Sequence, residues 1–285
     1  MSSPKNWYDE NLYTSWRQSF EVGKELFREK TEFQDMIIFE NPIYGRVLAL
    51  DSVIQTTEKD EFVYHEMLTH VPIYAHGAAK KVLIIGGGDG GILREVLKHK
   101  MVERAVMVEI DPTVVELSKQ HLPTLSAGAF DNPKGEVIID DGVKYMAQDG
   151  EKFDVIIVDS TDPVGPGEVL FRQEFYADCK KRLTERGILV TQNGVPFMQS
   201  DELTTTWTRM RPLFPDVSFF VAAVPSYVGG FMTLGWGSLD PANRANDVET
   251  IRKRFAADPI DTNYYTPEIH VACFALPNYV RKLMK

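Results

Sequence analysis

The chain has 285 residues, 44% of them apolar and 25% charged, the balance of a globular protein with a sizeable core. Its formal net charge is −10, from 31 basic and 41 acidic residues; this argues against a nucleic-acid partner, which needs a basic surface, and is compatible with a cationic ligand. No apolar run approaches the ~20 residues of a bilayer span, and the stretch from Met1 to Trp7 has no signal-peptide core, so no membrane partner and a cytoplasmic location are expected.

Along the chain, Ser15 to Thr57 reads as short strands. Ser19–Val22 and Met36–Phe39 are apolar or alternating runs, Asn41–Gly45 supplies a turn, and Arg46–Leu50 is the partner strand. The spacing of Phe62, Glu66 and their neighbours predicts a helix from Glu58 to His70, ending before Pro72. From Ala79 the texture changes. Lys81–Ile85, Ala105–Glu109, Glu136–Asp140, Phe153–Asp159 and Gly187–Thr191 read as buried parallel strands, with helices at Gly90–Lys98 and Pro112–His121. Val217–Val221 and Phe231–Trp236 are expected to close the sheet as an antiparallel hairpin. The prediction is an α/β protein: a small antiparallel β domain with a linking helix over residues 1–78, then a doubly wound sheet over residues 79–285. The two cysteines, Cys179 and Cys273, share no metal-ligand or CxxC spacing and read as buried or idle thiols.

The first parallel strand runs into Gly86-Gly87-Gly88-Asp89-Gly90-Gly91, where Gly86, Gly88 and Gly91 satisfy G-x-G-x-x-G between a strand and a helix. Glu109, about twenty residues on, is placed to accept from ribose hydroxyls. Together they point to a nucleotide or nucleoside site. The pattern does not separate a nicotinamide dinucleotide from an S-adenosyl compound. Asp89 favours a ligand with a cation at that end, because it would repel a pyrophosphate or a carboxylate.

The expected strand ends carry Asp89, Glu109, Asp140-Asp141 and Asp159, with Asp162 close behind. Bunched carboxylates raise one another's pKa unless cations intervene, so the pattern makes sense if the ligands are positive. Acidic helix capping is the alternative for Asp140. A Mg²⁺ site is the alternative for the set, but no P-loop lysine supplies a phosphate handle, and no metal is expected.

These motifs, with Asp140-Asp141-Gly142 and Asp159-Ser160-Thr161-Asp162-Pro163-Val164-Gly165-Pro166, resemble the signatures of the spermidine synthase (polyamine aminopropyltransferase) family. Thr31–Asp35, Leu50–Thr57 and Asp60–Glu66 are similar too, and the resemblance extends from about Trp7 to Leu283. It implies a Rossmann-like methyltransferase-type domain behind the β domain. The implied activity moves an aminopropyl group from decarboxylated S-adenosylmethionine, a co-substrate, to putrescine, giving spermidine and 5′-methylthioadenosine with no cofactor. A methyltransferase using intact S-adenosylmethionine, or another amine acceptor, is the alternative. Asp159 is implied as the proton acceptor. Tyr64, His65, Asp89, Ser160, Thr161, Asp162 and Tyr227 are implied around the amine and aminopropyl groups. Gln34, Gly86, Gly88, Glu109, Asp141, Gly142 and Pro166 are implied around the nucleoside. The segment from Thr161 to Leu170 is implied as a closing loop, and the assembly as a homodimer or homotetramer.

Overall fold

The computed structural model describes residues 5–161 and 165–285, leaving out the side chains of residues 165 and 166. The N-terminal part forms two antiparallel sheets. Strands β1 (Asn6–Asp9) and β2 (Ser19–Val22) pair with each other, and β3 (Lys24–Lys30), β4 (Asp35–Asn41), β5 (Gly45–Leu50) and β6 (Val53–Thr57) form a four-stranded meander. The expected hairpin is β4–β5, turning between Asn41 and Gly45. Asn41 Oδ1 accepts from the Ile43 and Tyr44 N–H groups inside that turn, so the side chain itself shapes it. The next turn places Asp51 and Ser52 both at positive φ, as a two-residue hairpin requires. Strands β1, β3 and β6 lie outside the three strand runs named from the sequence.

Helix α1 (Glu61–His76) links the two parts. The expectation that it stops before Pro72 is corrected: Pro72 lies inside it, and the helix ends at Gly77, whose N–H donates to the Ile73 carbonyl at φ +72°. Every residue from Val63 to His76 is buried. Packing on all sides therefore outweighs the hydrogen bond that a proline removes.

The rest is α/β. After α1 come β7 (Lys81–Gly86), α2 (Gly91–Lys98), β8 (Arg104–Glu109), α3 (Pro112–His121), α4 (Pro123–Ser126), β9 (Gly135–Ile139), α5 (Gly142–Ala147) and β10 (Phe153–Asp159). Then follow α6 (Gln173–Lys181), β11 (Leu183–Gln192), α7 (Ser200–Met210), β12 (Asp216–Ala222) and β13 (Met232–Ser238), with α8 (Val248–Ala257) beyond them. The sheet order is β12-β13-β11-β10-β7-β8-β9, parallel from β11 to β9 and antiparallel where β13 joins β11 and β12. The expected closing hairpin is thus present. Val82 and Ile84 face one core, shared with α1, and Leu83 and Ile85 face the other. Both faces are covered, which is why these strands read as unbroken apolar runs. Both cysteines are buried and free. Among the described residues no helix is long and apolar enough to cross a membrane.

The strand order reverses between β7 and β10, and the crevice beyond their carboxyl ends is where open α/β sheets hold ligands. Glu66 of α1, 1% exposed, accepts three backbone N–H groups, from Asn263, Tyr264 and Tyr265, and so ties the segment beyond α8 to this helix. Glu66→Leu leaves those donors without their acceptor. Urea unfolding should show a loss of about 3 kcal/mol or more.

Candidate active site: acids converging on one pocket

One pocket opens at the strand-order reversal. Its lining includes Gln34, Tyr64, His65, Gly86, Gly87, Gly88, Asp89, Glu109, Asp141, Gly142, Asp159, Ser160, Thr161 and Tyr227. These sequence-predicted residues come together from β7, β8, β10, α1, the glycine turn, the α5 N-terminus and three loops. Asp162 lies outside the described residues, and of Pro166 only the backbone, in the 3₁₀ turn Gly165–Phe171, is described. Gly167, Val169 and Leu170 of that turn line the same pocket.

The glycines are needed by close approach. Gly86 has φ +84°, and because it stands beside Asp159 in the sheet, a Cβ there would lie 2.0 Å from the Asp159 carbonyl oxygen. At Gly91 a Cβ would come within 2.2 Å of the His65 ring. The turn can therefore sit directly on α1.

Asp89 Oδ1 accepts from the Gly91 N–H at 2.8 Å, while Oδ2 lies 3.3 Å from His65 Nε2. Burial opposes its ionisation, but the His65 charge and hydrogen bond outweigh this and hold the Asp89 carboxyl below its ordinary range. Asp159 Oδ1 accepts from the Tyr64 hydroxyl at 2.6 Å. Burial, reinforced by the neighbouring charge of Asp89, pushes Asp159 up to about 6. Burial likewise pushes Glu109 up to about 7; its Oε1 accepts from the Asp111 N–H at 3.0 Å. Tyr227 stands with its ring 6.0 Å from that of Tyr64 and donates from its hydroxyl to the Gln55 carbonyl at 2.8 Å. Its loop is fixed by buried Asp60, at the foot of α1, which accepts from the Ser226 N–H at 2.7 Å and the Thr57 hydroxyl at 2.6 Å.

Gln34 reaches the pocket rim and donates to Asp111 Oδ2 at 3.1 Å, and Asp111 in turn caps α3. Asp141 caps α5, accepting from the Val143 and Lys144 N–H groups. Of the adjacent acids, the capping alternative for Asp140 is corrected. Asp140 instead accepts from the Asp141 N–H and is not part of the pocket lining. The helix begins at Gly142, so the cap position just before it falls on Asp141.

Sequence reasoning missed Glu10, Tyr13, Asp51, Gln55, Gln192 and Gln199, which also line the pocket. Gln192 ends β11, so the strand-end rule could have found it. Glu10 is brought in by tertiary contacts alone: it accepts from Gln18 Nε2 at 2.9 Å and the Ile54 N–H. No lysine or arginine appears in the described lining.

The raised Asp159 pKa makes a stability prediction. Its ordinary value is 3.8 and its folded value about 6, so its contribution to stability is full below pH ~4 and is lost as pH rises through 6. Ligand-free Asp159→Asn should therefore gain on the parent protein between pH 4 and pH 8, by up to about 3 kcal/mol. Denaturant unfolding across that range measures it. A constant difference would contradict the raised value.

Known proteins show the same architecture. Residues 61–247 match the spermine/spermidine synthase domain, and residues 6–58 match the spermidine synthase tetramerisation domain. The polyamine aminopropyltransferase of Pseudomonas syringae pv. tomato is 59% identical over 273 residues, 96% of each chain. Polyamine aminopropyltransferase 1 of Pseudomonas aeruginosa is 58% identical over the same share. Among solved structures, a spermidine synthase in complex with the transition-state analogue AdoDATO superimposes with a TM-score of 0.92 at 40% identity, over 98% of this chain and 94% of the other. Spermidine synthase from Thermotoga maritima gives 0.89 at 39% identity over the same shares. With a carboxylate-lined pocket at the reversal of a Rossmann-like sheet and these matches along nearly its whole length, the chain belongs to the spermine/spermidine synthase family.

Proposed function

We propose that this polyamine aminopropyltransferase carries the aminopropyl group of decarboxylated S-adenosylmethionine to putrescine, releasing spermidine and 5′-methylthioadenosine. The observation behind this reading is the convergence of Asp89, Glu109, Asp141 and Asp159 on one pocket whose described lining has no lysine or arginine. Both substrates are cations, and such a pocket attracts them.

Glu109 would take the ribose hydroxyls. Asp141 and Gly142 would meet the adenine, and Gln34 and Pro166 would flank the nucleoside. Gly86 and Gly88 let it approach the turn. Asp89 would hold the donor's ammonium beside His65. Tyr64, Tyr227, Ser160, Thr161 and Asp162 would frame the attacking amine. The amine lone pair attacks the methylene carbon next to the sulfonium. The carbon–sulfur bond breaks, its electron pair stays on sulfur, and the ammonium proton passes to Asp159.

Protonation is the obstacle. A diamine has a pKa near ~10, so presenting it neutral at pH 7 costs roughly 4 kcal/mol. Asp159 at about 6 is a stronger base by roughly two units than an ordinary aspartate, which narrows the gap. Alignment of the two reactants supplies the larger share, several kcal/mol (~7–11 in favourable cases).

The match to a tetramerisation domain supports a homo-oligomer, and we read it as a homodimer or homotetramer working in the cytoplasm. We also place the division between the N-terminal β part with its linking helix and the catalytic part near residue 78, where α1 gives way to β7.

Asp159→Asn should lower aminopropyl transfer about 10²–10⁴-fold with little change in methylthioadenosine affinity. In the parent enzyme kcat/KM should fall as pH drops below about 6, as Asp159 takes up its proton. Product mass spectrometry and a pH series decide both; turnover near the parent level in the variant removes the base from Asp159. Asp89→Ala should weaken the decarboxylated donor about 10–100-fold, yet leave methylthioadenosine, which has no ammonium, nearly unaffected. Equal losses for the two ligands, by calorimetry, would refute that contact.

A further inference from the structure

His65 faces two carboxylates at once. Its Nδ1 lies 2.5 Å from Glu61 Oε2, one turn earlier on α1, and its Nε2 lies 3.3 Å from Asp89 Oδ2. The side chain is 3% exposed, and the ring is pressed beneath Gly91, so it cannot turn away from either partner. A neutral imidazole has one N–H and one lone pair. Set between two carboxylates, it would aim that lone pair at an anion. The doubly protonated ring satisfies both.

Glu61 is itself held. Arg94 of α2 donates to Glu61 Oε2 at 2.8 Å and to Glu95 Oε1 at 2.7 Å, and it also reaches the Leu125 carbonyl at 2.6 Å. Charges thus alternate from the pocket into the α1–α2 contact: Asp89, His65, Glu61, Arg94, Glu95. The other titratable groups facing His65 are Tyr64, whose ring centroid lies 5.7 Å from that of His65, and Asp159, at the end of β10, which feels its charge.

We propose that Glu61, buttressed by Arg94, is a positioning residue that keeps His65 an imidazolium, giving the acid cluster a built-in counter-cation that keeps Asp89 and Asp159 ionised before substrate arrives. Asp89, Glu109 and Asp159, gathered in one pocket, repel one another, and one fixed positive charge among them offsets part of that repulsion. The direction of the His65 shift agrees: burial opposes the cation, but the two carboxylates outweigh it and hold the ring well above its ordinary value. Glu61 does not line the pocket, so it acts through His65.

The proposal rests on the catalytic reading above for one of its two tests and stands apart from it for the other. In Glu61→Gln the amide keeps the size and, with its oxygen in the place of Oε2, the Arg94 contact, but it drops the charge. The shared position next to Nδ1 and Arg94 then holds a neutral amide oxygen, so the imidazolium loses one of its two anionic partners. Nitrogen-detected NMR of the ligand-free protein should show His65 doubly protonated at pH 7.5 in the parent and already neutral at pH 6 in Glu61→Gln. With that cation gone, Asp159 binds its proton more tightly, so the acidic limb of kcat/KM should move up by about one unit. Glu61→Asp, which keeps the charge, should leave the limb near its parental position. Methylthioadenosine affinity should change less than twofold in both variants. A neutral His65 in the parent at pH 7.5, or an unmoved limb in Glu61→Gln, overturns the proposal. If no amine accepts the aminopropyl group, the catalytic reading fails, and the NMR titration still decides the state of His65.

Discussion

Like charges gathered out of water are the constraint around which this molecule is arranged. Asp89, Glu109 and Asp159 belong to three different elements, yet they meet where β7 and β10 part. Folding has to bring them together without letting water screen them fully. Raised values for Glu109 and Asp159 record the strain, and the lowered value for Asp89 records where a cation relieves it. A cavity in this condition is preset for a positive guest. Each positive charge that enters removes repulsion as well as gaining attraction, so affinity and ionisation of the acids rise together.

The scaffold supports this by spreading the acids over rigid elements. The parallel strands end in step, with Gly86 opposite Asp159, so their terminal groups arrive at one level. Helix α1 lies buried against the main sheet, with α2 and α8 packed beside it. It presents Tyr64 and His65 to the pocket on one side and holds the chain beyond α8 through Glu66 on the other. A helix committed to so many neighbours tolerates Pro72 in its interior, because its stability comes from what surrounds it.

Much of this was legible in the residues. The strands from Lys81 to Asp159 could be read because burial on both faces leaves unbroken apolar runs, and the site could be read because ligand groups in such sheets stand at strand ends. Gly86, Glu109 and Asp159 follow from position alone. Other features depend on distance relations that no local pattern carries. Glu10 lines the pocket because Gln18 and Ile54 hold it there. Strand β3, with Lys24, Glu25, Arg28, Glu29 and Lys30 along it, is mostly polar and shows little apolar signal. Pro72 misled by local rule, and Asp141 rather than Asp140 became the cap because a helix start is set by backbone direction, which two identical neighbours do not reveal.

Asp60 gives one buried carboxylate an unusual mechanical reach. It grips the backbone before Tyr227 while standing at the base of the helix that carries Tyr64, one turn further on. The two rings therefore belong to a single body, although 163 positions separate them in the chain. If these rings flank the attacking amine as proposed, a clip that never touches the guest would set the width of its site.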